Sequence, residues 1–119
     1  MSQHGSLATW PTGDHAQVVT LEGEFDLATA PSFTEAVDDA LDAGRPDLIV
    51  DLSHVTFLDS TMLQALIRAC DNSRLRESQF ALIRPKAGVW RIFVLTGLSN
   101  TLPSFGGVPE ALASFTAVA

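Results

Sequence analysis

Apolar positions along the chain change their period several times, and each change marks an element. In "AQVVTLEGEF", Ala16 to Phe25, β-branched residues follow the turn-like "PTGDH", which predicts a strand over about Gln17 to Glu22. A shorter strand is expected before it, near Leu7 to Trp10. In "TAPSFTEAVDDALDAG" the residues Phe33, Ala36, Val37, Ala40 and Leu41 recur at helical spacing. Pro31 suits the first helical position and Gly44 the stop, while Glu35, Asp38, Asp39 and Asp42 make the wet side. "DLIVDL", Asp47 to Leu52, runs its apolar residues together, the pattern of a strand buried on both faces.

"SHVTFLD" then reads as a loop, and a second helix follows with Met62, Leu63, Leu66, Ile67 and Cys70 inward. Gln64, Arg68 and Asp71 fall on its outer side. "QFALIR", Gln79 to Arg84, is the next strand, and Ala87 to Gly97 a third helix. "NTLPSF" predicts a short last strand, held to an edge or an early end by Pro103. "VPEALASFTAV" closes the chain as a helix with Ala111, Leu112 and Phe115 on one face. Strands alternating with helices predict an α/β fold, a mixed but largely parallel sheet of four to five strands packed with about four helices. The length, 119 residues, suits one domain over residues 1–119.

Charge sharpens the picture. Met1 to Asp59 carries eleven acids and one base, Arg45, for a net −10, and Ser60 to Ala119 carries a net +3, which gives −7 in all. An acidic half of this kind opposes nucleic acid, whose phosphates need a cationic track, and suits a basic protein partner. Solvated acids that keep the chain soluble are the plainer reading. No apolar run approaches the roughly 20 residues of a membrane span, and "MSQHGSLATW" lacks the pattern of a secretory signal. The single cysteine, Cys70, cannot form an internal disulfide, which agrees with a reducing compartment; the cytoplasm is the expected location.

The triplet Asp59-Ser60-Thr61 lies between an apolar run and an amphipathic one, at the carboxyl end of a central strand, where α/β sheets gather functional groups. Asp59 suits an N-cap, accepting from N–H groups two or three residues on. Capping alone explains such a triplet. The second reading is a hydroxyl, that of Ser60, held toward solvent in the first turn. Phosphate there adds a charge of about −1.5 to −2 that the positive helix end tolerates.

Several segments carry a family resemblance. "LIVDLSHVTFLDST" followed by "LQALIRA" resembles the signature of STAS domains, the sulphate transporter and anti-sigma factor antagonist family. "LEGEFDLATAPSF", "VWRIFVLTGLSNTL" and "VPEALASF" resemble the family's other segments, so the likeness covers nearly the whole chain. For a free-standing chain of this length the resemblance implies a non-enzymatic anti-sigma factor antagonist, needing no cofactor or metal. It implies Ser60 as phosphoacceptor, with Thr61 in reserve and Asp59 positioning the site. The implied partner is an anti-sigma factor that is also a serine kinase of the histidine-kinase-like ATPase fold. The unphosphorylated chain would bind it, phosphate would break the complex, and a serine phosphatase would reset it.

The expected contact surface joins the start of the second helix, with Thr61 and Met62, to nearby loops over Ser53 to Phe57, with Ser53, His54 and Thr56, and over Glu24 to Leu27, with Glu24 and Asp26. Met62 stands where the family usually has glycine; it either packs inward or alters partner choice and phosphorylation. His54 is a contact or a plain surface residue. Two further roles within the family also fit: a scaffold in a stress-signalling complex, and an accessory subunit of a lipid-transport complex that works without phosphorylation.

Rival chemistries lack parts. Asp51 sits where a receiver domain's phosphoaccepting carboxylate would, but "VVTLEGEF" supplies no acidic pair for Mg²⁺ and Lys86 follows the wrong strand. Ser60, His54 and Asp51 suggest a hydrolase triad without the Gly-x-Ser-x-Gly elbow. His4, His15, His54 and Cys70 have no metal-ligand spacing, and neither a phosphate loop nor a dinucleotide fingerprint is present.

Overall fold

In the computed structural model, which describes residues 5–44 and 46–116, five strands form one sheet in the order β1-β2-β3-β4-β5. The elements are β1 (Ser6–Thr12), β2 (Ala16–Phe25), α1 (Ala30–Gly44), β3 (Asp47–Leu58), α2 (Ser60–Leu75), β4 (Phe80–Ile83), α3 (Ala87–Leu95), β5 (Ser104–Phe105) and α4 (Val108–Thr116). β1 pairs antiparallel with β2, and every other pairing is parallel. The mixed, largely parallel sheet expected from the element order is the one observed. His4, Arg45 and the last residues of the final predicted helix, 117–118, lie outside the described residues.

Side-chain alternation along the central strands divides the core between the two faces of the sheet. Val19, Leu21, Leu48, Val50, Leu52, Phe80 and Leu82 face α1, α2 and α3, meeting Phe33, Val37, Leu41, Met62, Leu66 and Phe93. Val18, Ile49, Ala81 and Ile83 face the other way and are covered by Ala111 and Phe115 of α4. The continuous apolar run of "DLIVDL" is thus explained: its alternate residues serve different layers.

One expected loop is a strand. Ser53 to Leu58 continues β3, paired with β2 as far as Phe25↔Leu58. Two register shifts, between Thr20 and Glu22 and between Gly23 and Glu24, each place an extra residue on β3. Leu52, Val55 and Leu58 therefore all turn inward at a spacing of three, which no period-two reading detects. Gly23 lies at these irregularities with φ +89°, a conformation that favours glycine. Along β3, β4 pairs only with Leu48 to Asp51, so the outer half of β3 extends beyond it alongside β2.

Smaller differences have local causes. α1 starts at Ala30, one residue before the expected Pro31, which fits its first turn. In α2 the buried stripe takes in Ala65 and Ala69, and Ile67 is only half-buried. α3 stops at Leu95, and Gly97 follows with φ +81° to open a 3₁₀ turn, Leu98–Asn100. β5 has two residues, directly after Pro103.

Candidate functional site

The outer end of β3 delivers Asp59 to the start of α2. Asp59 takes extended backbone angles, φ −114° and ψ −175°, and its Oδ1 accepts from the Met62 N–H at 3.1 Å. Its own N–H donates to the Phe25 carbonyl at 3.2 Å, which ties the helix start to the end of β2. The capping role expected of Asp59 is the one found.

Ser60 is the first residue of α2 and is exposed, and its hydroxyl makes no hydrogen bond to a described residue. Thr61 is half-buried and turns toward α1. Met62 is 0% exposed and belongs to the main core. Of its two readings, inward packing is the one the structure adopts, so Met62 is removed from the surface presented to a partner.

Beside the cap, the turn from β2 into α1 is held by Asp26 and Thr29. Asp26 Oδ1 accepts from the N–H groups of Ala28 at 2.9 Å and Thr29 at 3.3 Å. The Asp26 N–H donates to Thr29 Oγ1 at 2.9 Å, and the Thr29 hydroxyl lies 3.1 Å from the Glu24 carbonyl oxygen, to which it can donate. Asp26 thus acts first as an internal clamp. Thr29 escaped sequence reasoning, although Asp-x-x-Thr before a helix is a recognisable turn signal.

Ser53, His54 and Thr56 lie on the outer part of β3, not in a loop. Ser53 Oγ is 3.2 Å from His54 Nδ1, and the Ser53 N–H donates to Asp51 Oδ1 at 2.9 Å. His54 and Thr56 are exposed, as is Phe57 at 48%. Phe57 borders a cleft of about 220 Å³ against Gly88, Val89 and Ile92 of α3. It falls within the expected Ser53 to Phe57 contact range, although a loop reading gives a single aromatic no direction. Leu27, 73% exposed, adds a second apolar side chain beside the β2–α1 turn.

The hydrolase triad is not assembled. The His54 ring engages Ser53, and the extended segment from His54 to Leu58 alone spans about 13 Å before Ser60 is reached. Asp51 stays on the inner part of β3 with its carboxylate on the Ser53 amide. Cys70 is buried, and burial pushes its thiol above the ordinary range, Arg74 opposing and Asp71 adding to the shift. That leaves it unsuited to act as a nucleophile.

Residues 10–111 match the family model described as the STAS domain. The chain belongs to the STAS domain family. Among curated relatives it is similar to an anti-sigma-B factor antagonist of Listeria monocytogenes, 33% identical over 89 residues, 75% of this chain and 77% of that one. It is also similar to the anti-sigma-F factor antagonist RsfB of Mycobacterium tuberculosis, 31% identical over 107 residues, 87% of this chain and 86% of that one. Among solved structures, an anti-sigma factor antagonist from Mycobacterium paratuberculosis superposes with a TM-score of 0.83 at 29% identity, covering 96% of this chain and 97% of the other. The stretch that resembles the STAS signature, Leu48 to Thr61, runs along β3 and into the first turn of α2, where Asp59 and Ser60 stand. No helix among the described residues is long and apolar enough to cross a membrane.

Proposed function

We propose that this STAS domain is a cytoplasmic anti-sigma factor antagonist switched by phosphate on Ser60. The observation that carries the reading is the exposed Ser60 hydroxyl, without a hydrogen bond to a described residue, in the first turn of a helix whose cap is already supplied by Asp59. The names of the Listeria and Mycobacterium relatives support the regulatory class. The partner is an anti-sigma factor that is also a serine kinase of the histidine-kinase-like ATPase fold. In the transfer step Ser60 Oγ bonds to the γ-phosphorus of ATP, the bond to the β-bridging oxygen breaks, ADP leaves and the hydroxyl proton passes to solvent or a kinase base. A serine phosphatase returns the hydroxyl.

The same charge acts differently in the free domain and in the complex. On the free domain it meets the N-terminal helix dipole, a favourable interaction of about 0.3–1 kcal/mol. In a closed interface a doubly charged phosphate roughly 6 Å from a carboxylate costs about 1.4 kcal/mol in water and about 5 kcal/mol at an effective dielectric constant near 20. Each 1.4 kcal/mol is about tenfold in affinity. The complex opens while the fold stays.

The test is incubation with the purified kinase and ATP, followed by mapping of the modified peptide and a binding titration. Phosphate is expected on Ser60, Ser60→Ala is expected to bind without being modified, and Ser60→Asp is expected to bind weakly. Equal kinase affinity for wild type, Ser60→Asp and the phosphoserine protein overturns the switch and leaves a phosphorylation-independent scaffold or accessory subunit.

A further inference from the structure

α1 and α2 do not close against each other along their outer edge. A groove of about 530 Å³ runs between them from the β2–α1 turn toward Asp39 and Arg68. Its floor is apolar, made by Ala30 and Ala65, with Leu27 standing at the open end 73% exposed. Its α1 wall carries Glu35, Asp38 and Asp39, none of which forms an ion pair with a described residue. From Ala30 to Asp39 the groove follows about 14 Å of helix axis, room for two to three turns of a docked helix. Thr61 lines it too, so the groove opens onto the first turn of α2, next to Ser60.

We propose that this groove receives a short amphipathic, basic segment of the protein partner, its apolar side chains on Leu27, Ala30 and Ala65 and its lysines or arginines along the α1 wall. An apolar floor beside a wall of acids suits such helix-in-groove docking. The complementarity is specific in direction: Arg68, on the α2 wall, carries the opposite charge and calls for a neutral or acidic residue on that side of the segment. A second copy of this chain is the less favoured occupant, since it carries a net −7 and so meets the acidic wall with like charge overall. The groove extends contact from the tip of α2 along its flank, so part of the affinity lies outside the reach of a phosphate on Ser60.

The inference rests on the kinase-partner reading above, and the experiment separates the two. The probe is the purified anti-sigma factor kinase, titrated at low and high salt against wild type, the triple variant E35Q/D38N/D39N, the single variant Leu27→Ser and Ser60→Asp. A control triple, D14N/E77Q/E110Q, removes the same charge from positions elsewhere. The groove triple is expected to bind about tenfold more weakly at low salt, with a flatter salt dependence, and the control triple to stay near wild type. Leu27→Ser is expected to lose several-fold with an unchanged melting curve. If the groove triple binds like wild type while Ser60→Asp is still released, the groove proposal fails and the switch stands. No kinase binding by wild type removes the reading and the groove's occupant together. A wild-type dimer in sedimentation that the groove triple turns into a monomer overturns the proposal in favour of a second copy.

Discussion

Asp59 and Met62 form a two-sided lock on the first turn of α2. The Asp59 carboxylate accepts from the Met62 amide at 3.1 Å, and the Met62 side chain on the same residue is wholly buried in the main core. Ser60, between them in sequence, is left free to face solvent. Asp59→Ala is expected to lower stability by about 1 kcal/mol, the usual loss of a cap, and Asp59→Asn to retain most of it. Urea titrations of the two variants check this; an Ala variant as stable as wild type denies the cap its role.

That lock shows what the sequence made legible and what it concealed. The cap was readable because Asp followed by Ser and Thr before an apolar helical stripe is a local signal. So was the sheet, because "DLIVDL" and the Phe33-Val37-Leu41 stripe carry their periods within a few residues. The outer half of β3 was not readable. Leu52, Val55 and Leu58 reach the core at a spacing of three only because β2 pairs with β3 through two irregularities, and such irregularities belong to a pair of strands, not to either one alone. The same misreading placed both His54 and Phe57 in a loop. Met62 was ambiguous for a different reason: a methionine in a first turn fits either face, and packing decides.

Met62 therefore tests whether the family's usual glycine is interchangeable here. Its side chain is 0% exposed among Phe25, Leu58 and the other residues of the main core. Met62→Gly removes that volume and adds a glycine in the first turn, for an expected loss of about 3–5 kcal/mol. Met62→Leu keeps the volume and is expected to stay within about 1.5 kcal/mol of wild type. Thermal or chemical denaturation distinguishes the two outcomes; a glycine variant near wild type shows that the site collapses readily around the loss.

Ser60 should be silent in the free protein. Its side chain is exposed and forms no hydrogen bond to a described residue, so Ser60→Asp removes no interaction and places a carboxylate at the positive end of α2. Stability is expected to remain within about 0.5 kcal/mol of wild type, with any change upward. A calorimetric scan of Ser60→Asp reads this directly. Marked destabilisation would mean that a charge here disturbs the fold, and an effect on binding could then no longer be assigned to the interface.

Cys70 sets an alkaline limit on stability. Burial raises its thiol pKa in the folded chain, partly offset by Arg74, while the unfolded thiol ionises near its ordinary value, about 8.5. The folded state therefore binds more protons than the unfolded state in the window between these two values. Stability is fully present below the unfolded value and falls as pH rises above it, by at most about 1.4 kcal/mol per pH unit. The signal is clean because the sequence has no tyrosine and Lys86 is its single lysine. Urea midpoints from pH 7 to 10 are expected to decline for wild type and to stay flatter for Cys70→Ala, whatever the variant's stability at neutral pH. Parallel curves for the two proteins would remove Cys70 as the cause.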